Sequence, residues 1–334
     1  SIFEEIRKES KHILITDENV NELYGDLILR QLEEYGFEVL KLVIPPFDKS
    51  KNIDLYKELV EKCLEYKFDK KSMIFSLGGG VVNNISGFLA STLYRGIGLI
   101  HFPTSMLAQV DAAIDFKHGK NLIGTYYPAS HIIIDPNVLK TLNKRFVYDG
   151  LAESIKHAIC QDNDFYLYLL SNVNNLDNLE VLYYIINHSI KLKLELMNDD
   201  LDDDFDESIK QYGHSVGHAI EHLSHGEIYH GEAISIGMCI STEIGYLLGI
   251  NDEETVKKHY DIFKLFNLPI IIPNEFTFEE IWNKMKYDKH TLNGEIYTGL
   301  VSSIGKMAQD KNENFGHYIT EDILKKAIEK NRSK

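Results

Sequence analysis

The chain has 334 residues, 44% of them hydrophobic. That is enough for sizeable cores and, at ordinary domain sizes, for about two domains. Lys and Arg number 35 against 51 Asp and Glu, and the formal net charge of −16 repels nucleic-acid phosphate and anionic membranes. An anionic small substrate would need a local cluster of Lys, Arg and His to hold it.

The three cysteines, Cys63, Cys160 and Cys239, form neither a disulfide framework nor a CxxC metal site, which fits a reducing cytoplasm. The start, SIFEEIRKES, places charges where a signal peptide needs an apolar run. No apolar stretch reaches the ~18 residues of a membrane span.

HILIT (12–16) predicts a first strand, and VNELYGDLILRQLEEYG a helix ending at Gly36. FEVLKLVI and IDLYKELVEKCLEYK predict a second strand and helix. SMIFSLGGG predicts a third strand running into glycines, and GIGLIHFPT and HIIIDP predict further strands. Such alternation implies a Rossmann-like, doubly wound, mostly parallel sheet. From FVYDGLAESIKHAI onward the period is close to that of a helix. Long amphipathic helices are predicted over NLEVLYYIINHSIKLKLELM and GEAISIGMCISTEIGYLLG. The expected division is an α/β domain over 1–146 and an all-α domain over 147–334. The acidic run NDDLDDDFDE (198–207) lacks both EF-hand spacing and a central glycine, so it reads as a solvated loop entering a helix.

LGGGVVNNISG (77–87) follows a strand and opens a helix. There bare backbone can approach a pyrophosphate at a helix N-terminus. A tight turn alone would also explain the GGG. Asp17, at the end of the first strand, is placed to take a ribose hydroxyl. AQVDAAIDFKHGKNLIG (108–124) gathers Asp111, Lys117, His118, Lys120 and Asn121, types that suit phosphate and hydroxyls. Glu153 and Lys156 share a helical face. Their neighbours Leu151, Ala152, Ile155, Ala158 and Ile159 argue against a surface ion pair. In QYGHSVGHAIE, His214 and His218 are four apart, and His230 follows in YHGEA. Without a Glu after His214 this is not the HExxH protease motif. A catalytic zinc takes three N and O ligands, and Glu153, His214, His218 and His230 are the four candidates.

The run TDENV, GGGVV, LYRGIGLIHFPTSMLAQVD, GKNLIGTYYP, LAESIKHAI, YGHSVGHAIE, HGEA and DKH, spanning 16–290, resembles the 3-dehydroquinate synthase family of sugar-phosphate cyclases. The resemblance implies an N-terminal nucleotide-binding domain and a C-terminal helical domain. It also implies bound NAD, a divalent metal (zinc foremost, with cobalt and iron possible) and a homodimer in which Arg95 reaches the partner's site. Carried over, the metal ligands are Glu153, His214 and His230. His218, Lys117, Lys120 and Asn121 serve the substrate phosphate, while Asp111, Lys156 and Lys193 hold ring hydroxyls and neighbouring groups. Asp17 and Asn19 match the adenosine end of NAD, and Gly79 and Gly80 its pyrophosphate, with Val81 also in the cofactor set. Asn84, Thr104 and Ser105 complete the cofactor set, and Asp48 and Lys51 fall near the nicotinamide side. Gln211, Glu207 and Lys289 complete the substrate set.

Four departures bear on the substrate. Asn84 replaces the family's usual aspartate, as in the resembled 2-deoxy-scyllo-inosose synthases. Gln211 and Glu207 stand where dehydroquinate synthases have asparagine and a carboxylate-binding arginine. The segment between Lys117 and Gly119 is shortened. A carboxylate facing Glu207 would be repelled, so the expected substrate lacks one, as glucose 6-phosphate does. The implied reaction is transient oxidation by NAD, phosphate elimination, reduction, ring opening and intramolecular aldol closure. The alternatives are a true 3-dehydroquinate synthase, a dehydrogenase of the glycerol-1-phosphate or metal-dependent alcohol type, and a non-catalytic paralogue that binds nucleotide or sugar phosphate.

Overall fold

The structure is a computed structural model that describes residues 2–47, 50–112, 125, 127–196, 203–286, 291–292 and 295–334. Of these, Asp111, Ala112, Asp203, Asp204, Thr291 and Leu292 are described by backbone alone. The chain divides into two compact units, Ser1–Leu142 and Asn143–Lys334. Asn143 opens the second by accepting a hydrogen bond from Arg145 N at the start of its first helix.

The first unit contains β1 (Lys11–Asp17), α1 (Glu18–Val20), α2 (Asp26–Glu34), β2 (Glu38–Ile44) and α3 (Ile53–Glu65), followed by β3 (Met73–Gly78), α4 (Gly80–Thr92), β4 (Gly98–Pro103) and β5 (His131–Ile132). Among the described residues these strands make one sheet, ordered β2-β1-β3-β4-β5, with every pairing parallel. Alternate side chains face opposite layers. Ile13, Ile15 and Ile74 pack with Leu59 and Cys63 of α3 and with Val82, Ile85 and Leu89 of α4. Leu14, Phe75, Leu77 and Ile100 pack with Leu32 of α2. Both faces of β1, β3 and β4 are covered, which is why their centres read as apolar runs. The chain passes from β1 to β2 on one side and returns on the other as β3. The switch point therefore lies at the C-terminal ends of β1 and β3, where doubly wound sheets bind ligands.

Two elements differ from expectation. The helix expected over 20–36 is broken by a π-helical turn at Asn21–Gly25 before α2 begins. The strand expected over HIIIDP pairs only at His131–Ile132. There Asp135 caps the turn Pro136–Thr141, and Pro136 has no amide to offer a ladder.

The second unit begins with α5 (Lys144–Gln161), α6 (Asn163–Asn172), α7 (Leu179–Leu196), α8 (Asp203–Gln211), α9 (His214–Leu223), α10 (His230–Leu247), α11 (Glu253–Leu265) and α12 (Phe278–Lys286). The all-α expectation needs one amendment: short antiparallel strands follow before the last helix. These are β6 (Thr291–Leu292), β7 (Glu295–Gly299), β8 (Val301–Ser303), β9 (Lys306–Met307) and β10 (Gly316–Tyr318), and α13 (Glu321–Arg332) ends the chain. All these strands but β7 have only two or three residues, too few to show a period in sequence.

Asp149 through Cys160 of α5 are all buried, as are most residues of α10, so these two helices form the unit's interior. Ile236, Ile240 and Ile244 of α10 pack with Ile220 of α9, Ile281 of α12 and Leu324 and Ile328 of α13. Glu243, buried within α10, faces Lys330 at 3.4 Å and Lys334 at 3.5 Å and so ties down the C-terminal helix. Among the described residues no helix is long and apolar enough to cross a membrane. All three cysteines are buried free thiols.

Candidate active site

The helices of the second unit bring Glu153 on α5, His214 at the first residue of α9 and His230 at the first residue of α10 to one point. Glu153 Oε1 lies 3.1 Å from His214 Nε2 and 3.1 Å from His230 Nε2. One ligand atom from each of the three falls within 4.8 Å of the others. Ligands at about 2.1 Å from a tetrahedral ion stand about 3.4 Å apart, so this set needs to spread only slightly to hold one.

The outer nitrogens fix the rings. His214 Nδ1 is 3.1 Å from the Tyr212 carbonyl and His230 Nδ1 is 3.2 Å from Glu221 Oε2. A carbonyl and a carboxylate only accept, so each Nδ1 carries a hydrogen, and a neutral ring with its hydrogen there offers the Nε2 lone pair to an ion. Burial, with Lys156 beside it, pushes His214 down to about 3, so the imidazole is neutral. Burial acts to raise the Glu153 carboxyl. The Lys156 ammonium beside it outweighs that and holds Glu153 well below the ordinary carboxylate range. The donor set is therefore two imidazole nitrogens and one carboxylate, the chemistry of catalytic zinc sites.

Glu153 Oε2 also meets Lys156 Nζ at 2.6 Å, with both side chains at most 5% exposed. The pair is interior, as its apolar neighbours in sequence suggested. His218 lies beside the cluster but outside it, its ring 5.2 Å from that of His214 and 6.0 Å from that of His230. Burial, and after it the Lys156 charge, push His157 down to about 4, and Lys193 on α7 is near enough to add to this. Gln211 is buried at the end of α8, and half-buried Glu207 sits one turn earlier on the same helix.

Sequence reasoning missed the framework around the ligands. Asp149 Oδ1 accepts from Glu232 N at 3.0 Å, joining α5 to the N-terminus of α10. Arg145 grips Glu232 with two bonds, Nε to Oε1 at 2.6 Å and Nη2 to Oε2 at 2.8 Å, and lies 4.4 Å over the Tyr229 ring. Glu221 also escaped notice. Its spacing from His214 and His218 (i, i+4, i+7) was a usable signal, because it puts all three on one face of α9.

In the first unit the dinucleotide candidates line the C-terminal edge of the sheet. Asp17 ends β1, where its carboxylate accepts from Val20 N at 3.1 Å and burial raises its pKa. Asn19 is exposed in α1, which follows. Gly79 caps α4, with Gly80, Val81 and exposed Asn84 in its first turns. The structure brings Thr104 and Ser105 to the same turn: Thr104 N donates to Gly78 O at 3.0 Å, and a Cβ on Gly79 would meet the Ser105 hydroxyl at 3.3 Å. Lys51 lies between β2 and α3. Arg95 is exposed in a left-handed turn, with φ of 49° at Tyr94, 60° at Arg95 and 112° at Gly96. Lys70 Nζ holds that turn through the carbonyls of Tyr94 (2.8 Å) and Gly96 (2.7 Å). Asp48, Lys117, His118, Lys120, Asn121 and Lys289 lie outside the described residues, as does the side chain of Asp111.

The fold is shared with known cyclases. A 2-epi-5-epi-valiolone synthase from Streptomyces hygroscopicus, solved with NAD+ and Zn2+, superposes with a TM-score of 0.88 at 24% identity, covering 97% of this chain and 91% of that one. A 2-deoxy-scyllo-inosose synthase, solved with carbaglucose-6-phosphate, NAD+ and Co2+, superposes at 0.87 and 26% identity, covering 99% and 94%. Residues 41–149 match the family model for the 3-dehydroquinate synthase N-terminal region, and residues 150–291 match that for its C-terminal region. The 3-dehydroquinate synthase of Clostridium acetobutylicum is 35% identical over 311 residues, covering 91% of this chain and 87% of the relative. Class and fold therefore agree on an α/β unit followed by a helical unit of the dehydroquinate synthase type. The chain belongs to the 3-dehydroquinate synthase family of sugar-phosphate cyclases.

Proposed function

We propose that this chain is an NAD- and divalent-metal-dependent cyclase that eliminates phosphate from a phosphorylated sugar lacking a carboxylate and closes a carbocyclic ketone. The observation that carries this reading is the convergence of Glu153, His214 and His230 on one point inside the helical unit. The residues at the switch point of the parallel sheet, Asp17, Gly79, Thr104 and Ser105, support a dinucleotide. The inosose synthase, solved with a sugar-phosphate analogue, NAD+ and Co2+, supports the combination.

When bound, the metal would acidify a substrate hydroxyl and NAD would take up and return a hydride. The chain's own side chains do the rest. Glu153, His214 and His230 hold the ion. Lys156, beside Glu153, binds a ring hydroxyl, helped by Lys193 and Asp111. His218 donates to the departing phosphate together with Lys117, Lys120 and Asn121, and the protein acts as a homodimer in which Arg95 serves the partner's site. Their charge stabilises the negative charge that develops on the leaving group. Keeping the enol and the carbonyl together is what closes the ring.

The test is a phosphate-release panel. Purified protein with NAD and Zn2+ or Co2+ should liberate inorganic phosphate from glucose 6-phosphate without accumulating NADH, and chelation should stop it. Release from the carboxylated precursor of dehydroquinate instead would assign the second reading, a true 3-dehydroquinate synthase, which the 35% identity to the Clostridium enzyme favours. Stoichiometric NADH without phosphate would point to a dehydrogenase. Silence on the whole panel would point to a non-catalytic binder.

Glu207 is the proposed barrier to carboxylates, standing on α8 one turn before Gln211. Glu207→Arg should tighten binding of the carboxylated precursor by about tenfold, the value of one charge-assisted hydrogen bond. Calorimetric titration giving an unchanged or weaker Kd would show that Glu207 does not face the substrate.

A further inference from the structure

The two histidines of the candidate metal centre are supported differently. His214 takes its outer partner from its own segment, the Tyr212 carbonyl two residues back. His230, the first residue of α10, takes its partner from another helix: Glu221 of α9, at 3.2 Å from Nδ1. The Glu221 side chain is 11% exposed. It shares a face of α9 with His214 and His218, so one helix supplies a ligand at its first residue and a support for the other ligand seven residues later. A backbone carbonyl cannot be changed by substitution, but a carboxylate can.

We propose that Glu221 is a positioning residue of the metal centre, accepting the Nδ1–H of His230 so that the ring is locked with Nε2 turned to Glu153. This rests on Glu153, His214 and His230 being the metal ligands. Two physical effects follow. The acceptor fixes the tautomer, since a ring with its hydrogen on Nε2 has no lone pair to offer there. The negative charge on the acceptor also makes the imidazole a stronger donor to a cation than a carbonyl would.

The experiment measures Zn2+ affinity by competition with a chromophoric chelator, using the full chain, Glu221→Ala, Glu221→Gln and Glu153→Gln. It also records the visible spectrum of each Co2+-loaded protein and the thermal unfolding of each chelator-treated protein. Glu221→Ala should bind Zn2+ about 10- to 100-fold more weakly, with a shifted Co2+ spectrum. Glu221→Gln still accepts through its amide oxygen but carries no charge, so its affinity should fall in between. Both metal-free variants should unfold where the unaltered chain does. Unchanged affinity in Glu221→Ala, alongside lost affinity in Glu153→Gln, overturns the role of Glu221 and leaves the ligand set standing. A metal-free unfolding temperature that falls in Glu221→Gln in step with the affinity assigns Glu221 to the fold and also overturns it. If the unaltered chain binds no Zn2+, the ligand set itself fails, and the proposal fails with it.

Discussion

Glu153→Gln is expected to abolish tight metal binding and to lower kcat by about a thousandfold or more, the scale of several kcal/mol of transition-state stabilisation supplied by a metal. The carboxylate is the one anionic ligand of the set, and both imidazole Nε2 atoms converge on its Oε1 at 3.1 Å. Its removal has a second consequence. Lys156 would be left buried without the partner that now sits 2.6 Å away. Breaking one side of a buried pair costs about 3–5 kcal/mol, whereas replacing both sides with neutral groups of similar volume can be nearly neutral. The double variant Glu153→Gln/Lys156→Met should therefore regain most of the lost stability in denaturant unfolding while its metal content stays near zero. If the double variant regains metal, the ion does not sit on Glu153. If the single variant is as stable as the unaltered chain, the buried pair is not charged.

Gly231→Ala is expected to be the most damaging small substitution near the site. A Cβ at Gly231 would fall 1.8 Å from the Asp149 carbonyl oxygen and 2.8 Å from Asp149 Oδ1. The first of these is backbone and cannot rotate aside, so α10 must move off α5. That movement strains the Asp149–Glu232 cap and shifts His230, the neighbouring residue, away from Glu153. Overpacking of this kind costs about 3 kcal/mol, and misplacing a ligand by about 1 Å lowers the rate about a hundredfold. Thermal unfolding and metal content measure the two effects separately. Gly87→Ala is the control: on α4 its Cβ would meet only Leu99 Cδ2 at an ordinary 3.9 Å. It should be neutral or slightly stabilising, since alanine is the better helix former by about 1 kcal/mol. A Gly231→Ala protein that binds metal as tightly as the unaltered chain would show that α5 and α10 are not held by this close approach.

Much of this architecture was legible in the residues. Parallel strands covered on both faces announce themselves as apolar runs, so β1 to β4 were found near their true limits. Elements held by contacts rather than by pattern were not. The π-helical turn at Asn21–Gly25 and the two-residue β5 lie within otherwise ordinary periodic runs. Of the strands from Thr291 to Tyr318, all but the five-residue β7 have only two or three residues, fewer than the four over which alternation can be read.

By itself the sequence determined which residue types were available for chemistry, namely a glycine turn after a strand, an interior Glu153–Lys156 pair and three histidines close in order. Spacing left four candidate ligands, which only the family resemblance narrowed to three, because helical spacing says which residues share a face and not how far apart their atoms lie across a separation of 61 positions. Tertiary packing of α5, α9 and α10 decided the rest. It aimed two Nε2 atoms at Glu153 Oε1 and left His218 to one side. It also brought Tyr212, Glu221 and Asp149 in behind the ligands. A donor's usefulness to a metal depends on distance, tautomer and the charge behind it, and those are set only when the helices meet.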